Sequence, residues 1–286
     1  MASVLELMAL PKVDGHCHVL DPQGFPYSPD AAYHPIGQEV GTADYYSQVM
    51  DAYGTRHALL VGPNSGYGLD NRCLLAAIAQ GQQNGRNRFK GIAVVPQQAS
   101  IDSLEKLKAQ GVIGVAFNVA LQGLPYYLEG AQNIEPLMRR LAALDMWAQF
   151  QVEADQLVDL MPLIERTRVK VMIDHCGRPR LADGLQAPGV QALLALGRSG
   201  QGVVKLSGFG KFSEQAYPFA DTLAHVHLLV RHFGVGQCIW ASDWPHLKSP
   251  YRLDYGTLLQ LAGQQFGLED WRQMMWETPQ RLLGFC

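Results

Sequence analysis

Eight short runs rich in apolar and β-branched residues recur along the chain: Lys12–His16, His57–Val61, Phe89–Val95, Val112–Phe117, Met146–Val152, Val169–Asp174, Gly202–Leu206 and Gln237–Ala241. Their starts lie about 32 residues apart on average, the length of one strand–helix repeat of roughly 30 residues or more. Most runs are continuously apolar rather than alternating, the pattern of parallel strands covered on both faces. The stretches between them carry helix punctuation. Thr42 is placed to cap a helix through Tyr53, with Gly54 just past its end. Asp102 and Glu105 have the spacing of a capping box, and Gly111 follows the helix they would open. Tyr217–Phe233 reads as a further helix stopped by Gly234.

Eight such repeats in 286 residues predict an α/β chain, a (β/α)8 TIM barrel, with residues 1–286 as a single domain. A doubly wound sheet competes for the same alternation, but no GxGxxG follows the first run.

Composition narrows the function classes. The chain is 48% hydrophobic and 17% charged, which excludes a disordered polypeptide. Its 23 basic and 26 acidic side chains give a net charge of -3, so no nucleic-acid partner is expected. No window approaches about 18 uninterrupted apolar residues, and no membrane partner is expected. The start, Met1 to Leu10, lacks a basic segment and reads as mature sequence. Five cysteines (Cys17, Cys73, Cys176, Cys238, Cys286), odd in number and without CxxC spacing, fit a reduced cytoplasmic protein.

In a (β/α)8 barrel the chemistry gathers where strands end. Those ends read His16 and His18, Asn64 with Ser65, Gln97, Asn118, Gln151, His175, Ser207 and Asp243. Loops are polar in any protein, so each amide alone carries little; the histidines with Asp243 carry more. In Val13-Asp-Gly-His-Cys-His18, positions i and i+2 of a strand share a face, so His16 and His18 converge while Cys17 turns away. Two imidazoles so close suit joint metal ligation or a shared hydrogen-bond site. In Ile173-Asp-His-Cys-Gly-Arg-Pro179, His175 leaves a buried run beside Gly177, and Arg178 and Arg180 offer forks for a carboxylate. In Trp240-Ala-Ser-Asp-Trp-Pro-His246, Asp243 can bind metal, act as general base or cap the next turn. His225, His227 and His232 share one predicted helix, only 225 and 232 on one face, and read as surface groups or as supports behind the site, and His57 starts a strand at the end away from the chemistry. The long loop Asp21–Val40, which contains His34, has the length of a lid or binding loop.

Taken together and in this order, VDGHCH, GYGLDNR, FKGIAVV, GVAFN, IDHCGRP, VKLSGF and WASDWPH resemble the amidohydrolase superfamily, closest to the branch of 2-pyrone-4,6-dicarboxylate lactonase and related sugar-lactone hydrolases and isomerases. The resemblance runs from about residue 12 to residue 284 and implies the (β/α)8 barrel reached above. It places the first-strand HxH on His16 and His18, the sixth-strand histidine on His175 and the eighth-strand aspartate on Asp243. Many members hold one or two divalent metals there, and mononuclear ones add a histidine from strand five. Here strand five offers Gln149 and Gln151, and strand four has no lysine for a bridging carbamate. Glutamine is a poor zinc ligand.

The resemblance therefore implies a metal-independent hydrolase opening a carboxylated lactone, with no cofactor expected. Asp243 would activate water, while His16, His18 and His175 would polarise the carbonyl. Asn64, Ser65, Tyr67, Asn118, Gln151, Arg178, Lys211, His246 and Lys248 would bind substrate. Ala116 and Gln122 stand where the dicarboxylate lactonase has arginines, so the substrate's carboxylates are fewer or differently placed, with Arg72, Arg178, Lys211 and Lys248 as remaining cations. Two rivals stand beside this reading: a decarboxylase or hydrolase holding one zinc on His16, His18 and Asp243, and a silent barrel that binds a small acid. A homo-oligomer is compatible with all three.

Overall fold

The computed structural model describes residues 4–31, 33–83, 87–120 and 133–285. Gln122 and Cys286 lie outside the described residues. The eight expected runs are strands: β1 (Lys12–Cys17), β2 (Thr55–Val61), β3 (Phe89–Ala93), β4 (Val112–Asn118), β5 (Trp147–Gln151), β6 (Lys170–Ile173), β7 (Gly202–Leu206) and β8 (Cys238–Trp240). They belong to one eight-stranded sheet ordered as in the chain, with parallel pairing, and a helix follows each. This is the (β/α)8 barrel class that the repeat length predicts.

By packing, the chain divides into two compact units. The first comprises Met1–Val94, Gln110–Val112 and Ile239–Cys286; the second comprises Val95–Ala109 and Ile113–Cys238. The first is built on β1, β2 and β3 with fully buried Val13, Leu59, Leu60 and Ile92. Its β1–β2 register pairs Asp14 with Ala58 and Cys17 with Leu60, so β1 carries an irregularity across Gly15 and His16. Gly15 is required there, because a Cβ would sit 2.9 Å from the Trp240 carbonyl oxygen. Lys12 opens β1 with a buried ammonium that donates to the carbonyls of Leu7 (2.7 Å) and Leu10 (2.5 Å), clasping the end of the helix Val4–Ala9. Burial lowers its pKa to about 8. The second unit is built on β4 to β7, with Phe117 stacked on Phe150 at 4.9 Å between centroids.

Helix starts show where local signals compete. Thr42 caps Ala43–Ala52 as expected, its hydroxyl accepting the Tyr45 N–H at 3.2 Å. The expected capping box at Asp102 is corrected: the helix is Ile101–Ala109, and Ser100, one residue outside it, accepts the Ser103 N–H at 3.2 Å. The helix expected over Tyr217–Phe233 is Leu223–Phe233 only. Pro218 disfavours helical geometry in the residue before it, and Phe219 has φ +57, so the chain cannot enter the helix earlier. Among the described residues no helix is long and apolar enough to cross a membrane.

Candidate active site

In the first unit, β1 and the segment after β8 run side by side beyond their strands. Asp243 N–H donates to the His16 carbonyl (2.8 Å) and His18 N–H to the Trp244 carbonyl (2.8 Å), with Cys17 bridged to Trp244 between them. This ladder brings together three of the expected residues. His16 Nε2 lies 3.3 Å from His18 Nε2, and each lies 3.7 Å from Asp243 Oδ1. His16 and Asp243 are buried, while His18 keeps 12% of its side chain exposed.

The imidazole roles follow from one contact. His18 Nδ1 is 2.8 Å from the Val61 carbonyl oxygen, which only accepts, so Nδ1 carries hydrogen. The lone pair of a neutral His18 is then on Nε2, and the facing Nε2 of His16 donates to it. Asp243 sits at φ +60, a left-handed conformation that aspartate tolerates better than most residues. Its carbonyl accepts the His246 N–H at 2.8 Å, closing a tight turn.

The same three atoms fit a divalent ion. Donors around tetrahedral zinc at ~2.0–2.2 Å stand about 3.3–3.6 Å apart, close to the 3.3, 3.7 and 3.7 Å found. The Val61 carbonyl on His18 Nδ1 is also the kind of outer partner that metal-bound imidazoles have. His16, His18 and Asp243 are therefore residues that could hold a metal.

Around this set the expected binding residues divide. Asn64 and Ser65 are half-buried in the segment after β2. Tyr67 is buried, and its hydroxyl oxygen accepts the Asp21 N–H at 2.9 Å, so it ties the loop after β1 in place. His34 Nε2 is bonded to the Ser28 carbonyl in that loop. His246 is buried at φ +66. Lys248 is exposed, its ammonium 4.7 Å above the Tyr33 ring and its N–H bonded to Glu39. Arg72 pairs with Asp70 at the surface. His57 packs against Phe285 and donates Nδ1–H to the Asn87 carbonyl.

A family model described as Amidohydrolase matches residues 13–285. The chain belongs to the amidohydrolase family. A 4-sulfomuconolactone hydrolase of Rhizobium radiobacter is 30% identical, the match covering 96% of this chain and 91% of the relative. A 2-pyrone-4,6-dicarboxylate hydrolase of Comamonas testosteroni is 25% identical over 82% and 76% of the two chains. A solved structure of a probable 2-pyrone-4,6-dicarboxylic acid hydrolase from Acinetobacter baumannii, with citric acid bound, superposes with a TM-score of 0.84 at 27% identity, covering 96% and 99% of the chains.

In the second unit this amidohydrolase holds its sixth-strand histidine tightly. His175, Cys176, Gly177 and Arg178 all have positive φ (+49, +56, +74 and +42), a sharp turn directly after β6. His175 is buried, with Nδ1 3.0 Å from Ser207 Oγ. A Cβ on Gly208 would lie 2.8 Å from that Nδ1, so the loop after β7 can pass only as glycine. Cys176 is no nucleophile, because full burial pushes its thiol up to about 12. Of the two expected alternatives His225 takes the supporting one: it is buried, and its Nε2–H donates to the Cys176 carbonyl at 2.9 Å, bracing the turn from behind.

Strand five is engaged elsewhere. Gln149 donates Nε2–H to Asp174 Oδ2 (2.8 Å) and accepts from Lys205 Nζ (2.5 Å), while Lys205 pairs with Asp174 Oδ1 at 3.1 Å. All three are buried. Sequence reading missed Lys205 and Asp174, since each is a single charge at an apolar run and nothing in the sequence pairs them. At the ends of β4 and β5, Asn118 donates to Gln151 at 3.4 Å. Arg178 is paired with Glu153 at 2.7 Å, and Arg180 with Asp183. Lys211 is half-buried on the turn Phe209–Lys211.

Proposed function

We propose that this chain hydrolyses a carboxylated lactone in the cytoplasm, as a single domain, with Asp243 as general base. The observation that carries the reading is the Asp243 carboxylate held 3.7 Å from both Nε2 atoms of an HxH pair. It stands in a family whose relatives above are named as lactone hydrolases. Water attacks the ring carbonyl carbon as Asp243 takes its proton. The carbonyl oxygen gains negative charge, which the one Nε2 hydrogen shared by His16 and His18 and an N–H of His175 stabilise. Collapse breaks the ring C–O bond, and the proton passes to the departing oxygen, leaving a carboxylic acid and a hydroxyl or enol.

Asn64, Ser65, Asn118, Gln151 and His246 complete the binding site in this reading. Lys211 and Lys248 anchor substrate carboxylate, since Arg178 is already occupied by Glu153. The reading needs no metal. It is supported by Gln149, whose amide is committed to Asp174 and Lys205 at the strand where metal-dependent members supply histidine.

A second reading draws on the triangle of donor atoms. A divalent ion on His16, His18 and Asp243 would polarise the carbonyl and lower the pKa of bound water. The experiment is turnover of a panel of carboxylated lactones by wild type and Asp243→Asn. We expect ring opening in wild type and a loss of about 10²–10⁴-fold in the variant. Unchanged turnover in Asp243→Asn removes Asp243 as base, and no opening of any lactone removes the substrate class.

A further inference from the structure

Beneath the HxH pair lies a carboxylate that the reaction above does not use. Asp14 is two residues before His16 on β1 and is fully buried. Its Oδ1 accepts the Ser242 N–H at 2.9 Å and the His16 N–H at 3.2 Å, and its Oδ2 accepts the Tyr46 hydroxyl at 2.6 Å. One oxygen atom thus holds the backbone of His16 and of the residue directly before Asp243. The Ser242 hydroxyl adds a further bond to Asp14 and also accepts the Trp244 N–H at 3.0 Å, bracing the far side of the same turn.

We infer that Asp14 is a positioning residue for the reaction, setting the His16–Asp243 spacing and holding Asp243 in its left-handed conformation through these backbone bonds. The inference rests on the lactonase reading for its kinetic arm only. Three features converge on it. A buried carboxylate is costly unless its lone pairs are filled, and here both oxygens accept hydrogen bonds. The two N–H groups on Oδ1 come from β1 and from the segment after β8, so the carboxylate fixes one stretch against the other rather than its own strand alone. Asp243 at φ +60 persists only if its surroundings enforce it, and the residues on either side of it, Ser242 and Trp244, are both tied into the Asp14 network. The rest of this ring is structural: Tyr46 stacks on Trp244 at 4.6 Å and so carries Asp14 to the same turn by a second route.

The test uses the full chain with Asp14→Ala and Asp14→Asn. Asparagine keeps an oxygen that can accept from Ser242 and His16; alanine keeps none. We expect kcat to fall about 100-fold in Asp14→Ala, the loss associated with displacement of a reacting group by about 1 Å. In Asp14→Asn the loss should be under about 10-fold, and KM should stay near the wild-type value in both, since Asp14 does not touch substrate. Crystal structures of both variants give a readout independent of turnover: in Asp14→Ala the His16 Nε2–Asp243 Oδ1 separation lengthens and Asp243 leaves positive φ, while Asp14→Asn preserves both. A folded Asp14→Ala with wild-type kcat, a loss residing in KM alone, or an unmoved Asp243 overturns the inference. If Asp14→Ala does not fold, Asp14→Asn decides: a loss as deep as that of Asp243→Asn despite unchanged geometry also overturns it. If no lactone is opened, the lactonase reading fails while the crystal structures still decide the role of Asp14.

Discussion

His16 and His18 meet Nε2 to Nε2 at 3.3 Å, while the outer nitrogen of His18 is held by the Val61 carbonyl. Two ring nitrogens at that distance need either one hydrogen between them or a cation facing both. The two states make opposite demands on His16, which donates in the first and offers a lone pair in the second.

Metal removal separates them. In the metal-free reading, protein dialysed against a strong chelator retains its lactone turnover, and metal analysis finds well under one zinc per chain. Stoichiometric zinc, with activity lost on removal and restored on return, would promote the metal reading instead.

Gly208→Ala probes the support of His175. Alanine at φ +63 costs about 1–2 kcal/mol, and its Cβ would press on His175 Nδ1, displacing the ring from Ser207. We expect a lower urea midpoint together with a fall in kcat. A variant as active and stable as wild type would show that the loop after β7 yields freely.

Lys205→Met leaves Asp174 buried without its cation. Breaking a buried pair by removing one partner costs about 3–5 kcal/mol, so the urea midpoint should drop steeply. Gln149 should lose its fixed orientation as well. A midpoint within experimental error of wild type would mean that Asp174 is neutral in the folded protein.

The cysteines give a pH dependence of known sign. Burial raises the thiols of Cys73, Cys176 and Cys238, that of Cys176 from 9.0 to about 12. Unfolded thiols ionise first as pH rises, so these groups contribute stability that is intact below about pH 9 and is lost progressively towards pH 12. At pH 8 we expect native protein to resist iodoacetamide at Cys17, Cys73, Cys176 and Cys238, all buried, and urea to expose them. Rapid native labelling at Cys176, read by mass spectrometry, would contradict the burial.

The eight strands were legible because a parallel strand buried on both faces leaves an uninterrupted apolar run, and each run here lies within two residues of its strand's bounds. His16, His18 and Asp243 were legible as a set because each ends such a run. Helix starts were less so. Ser100 and Asp102 both carry side chains that can cap, and only the backbone path decides which stands outside the first turn. Asp14, Asp174 and Lys205 were not legible, since a single charge inside an apolar run reads as an interruption until its partner on another strand is known. The cations were over-read for a related reason: Arg178 and Arg180 look available in sequence, but Glu153 and Asp183 claim them.

Among the described residues, hydrogen bonds stitch the loops after β1 and β2 together: Asp21 N–H to the Tyr67 hydroxyl, Ser28 N–H to the Gly66 carbonyl, and Gly66 N–H to the Tyr33 carbonyl. A Cβ on Gly66 would lie 2.6 Å from the Tyr27 ring, so the seam tolerates no side chain there. The two loops therefore behave as a single cassette. Recombination with a homologue at one loop alone would break the seam, whereas transplanting residues 21–40 and 64–67 as a pair would carry it across intact. Any evolutionary or engineered change to that region has to rewrite both stretches at once.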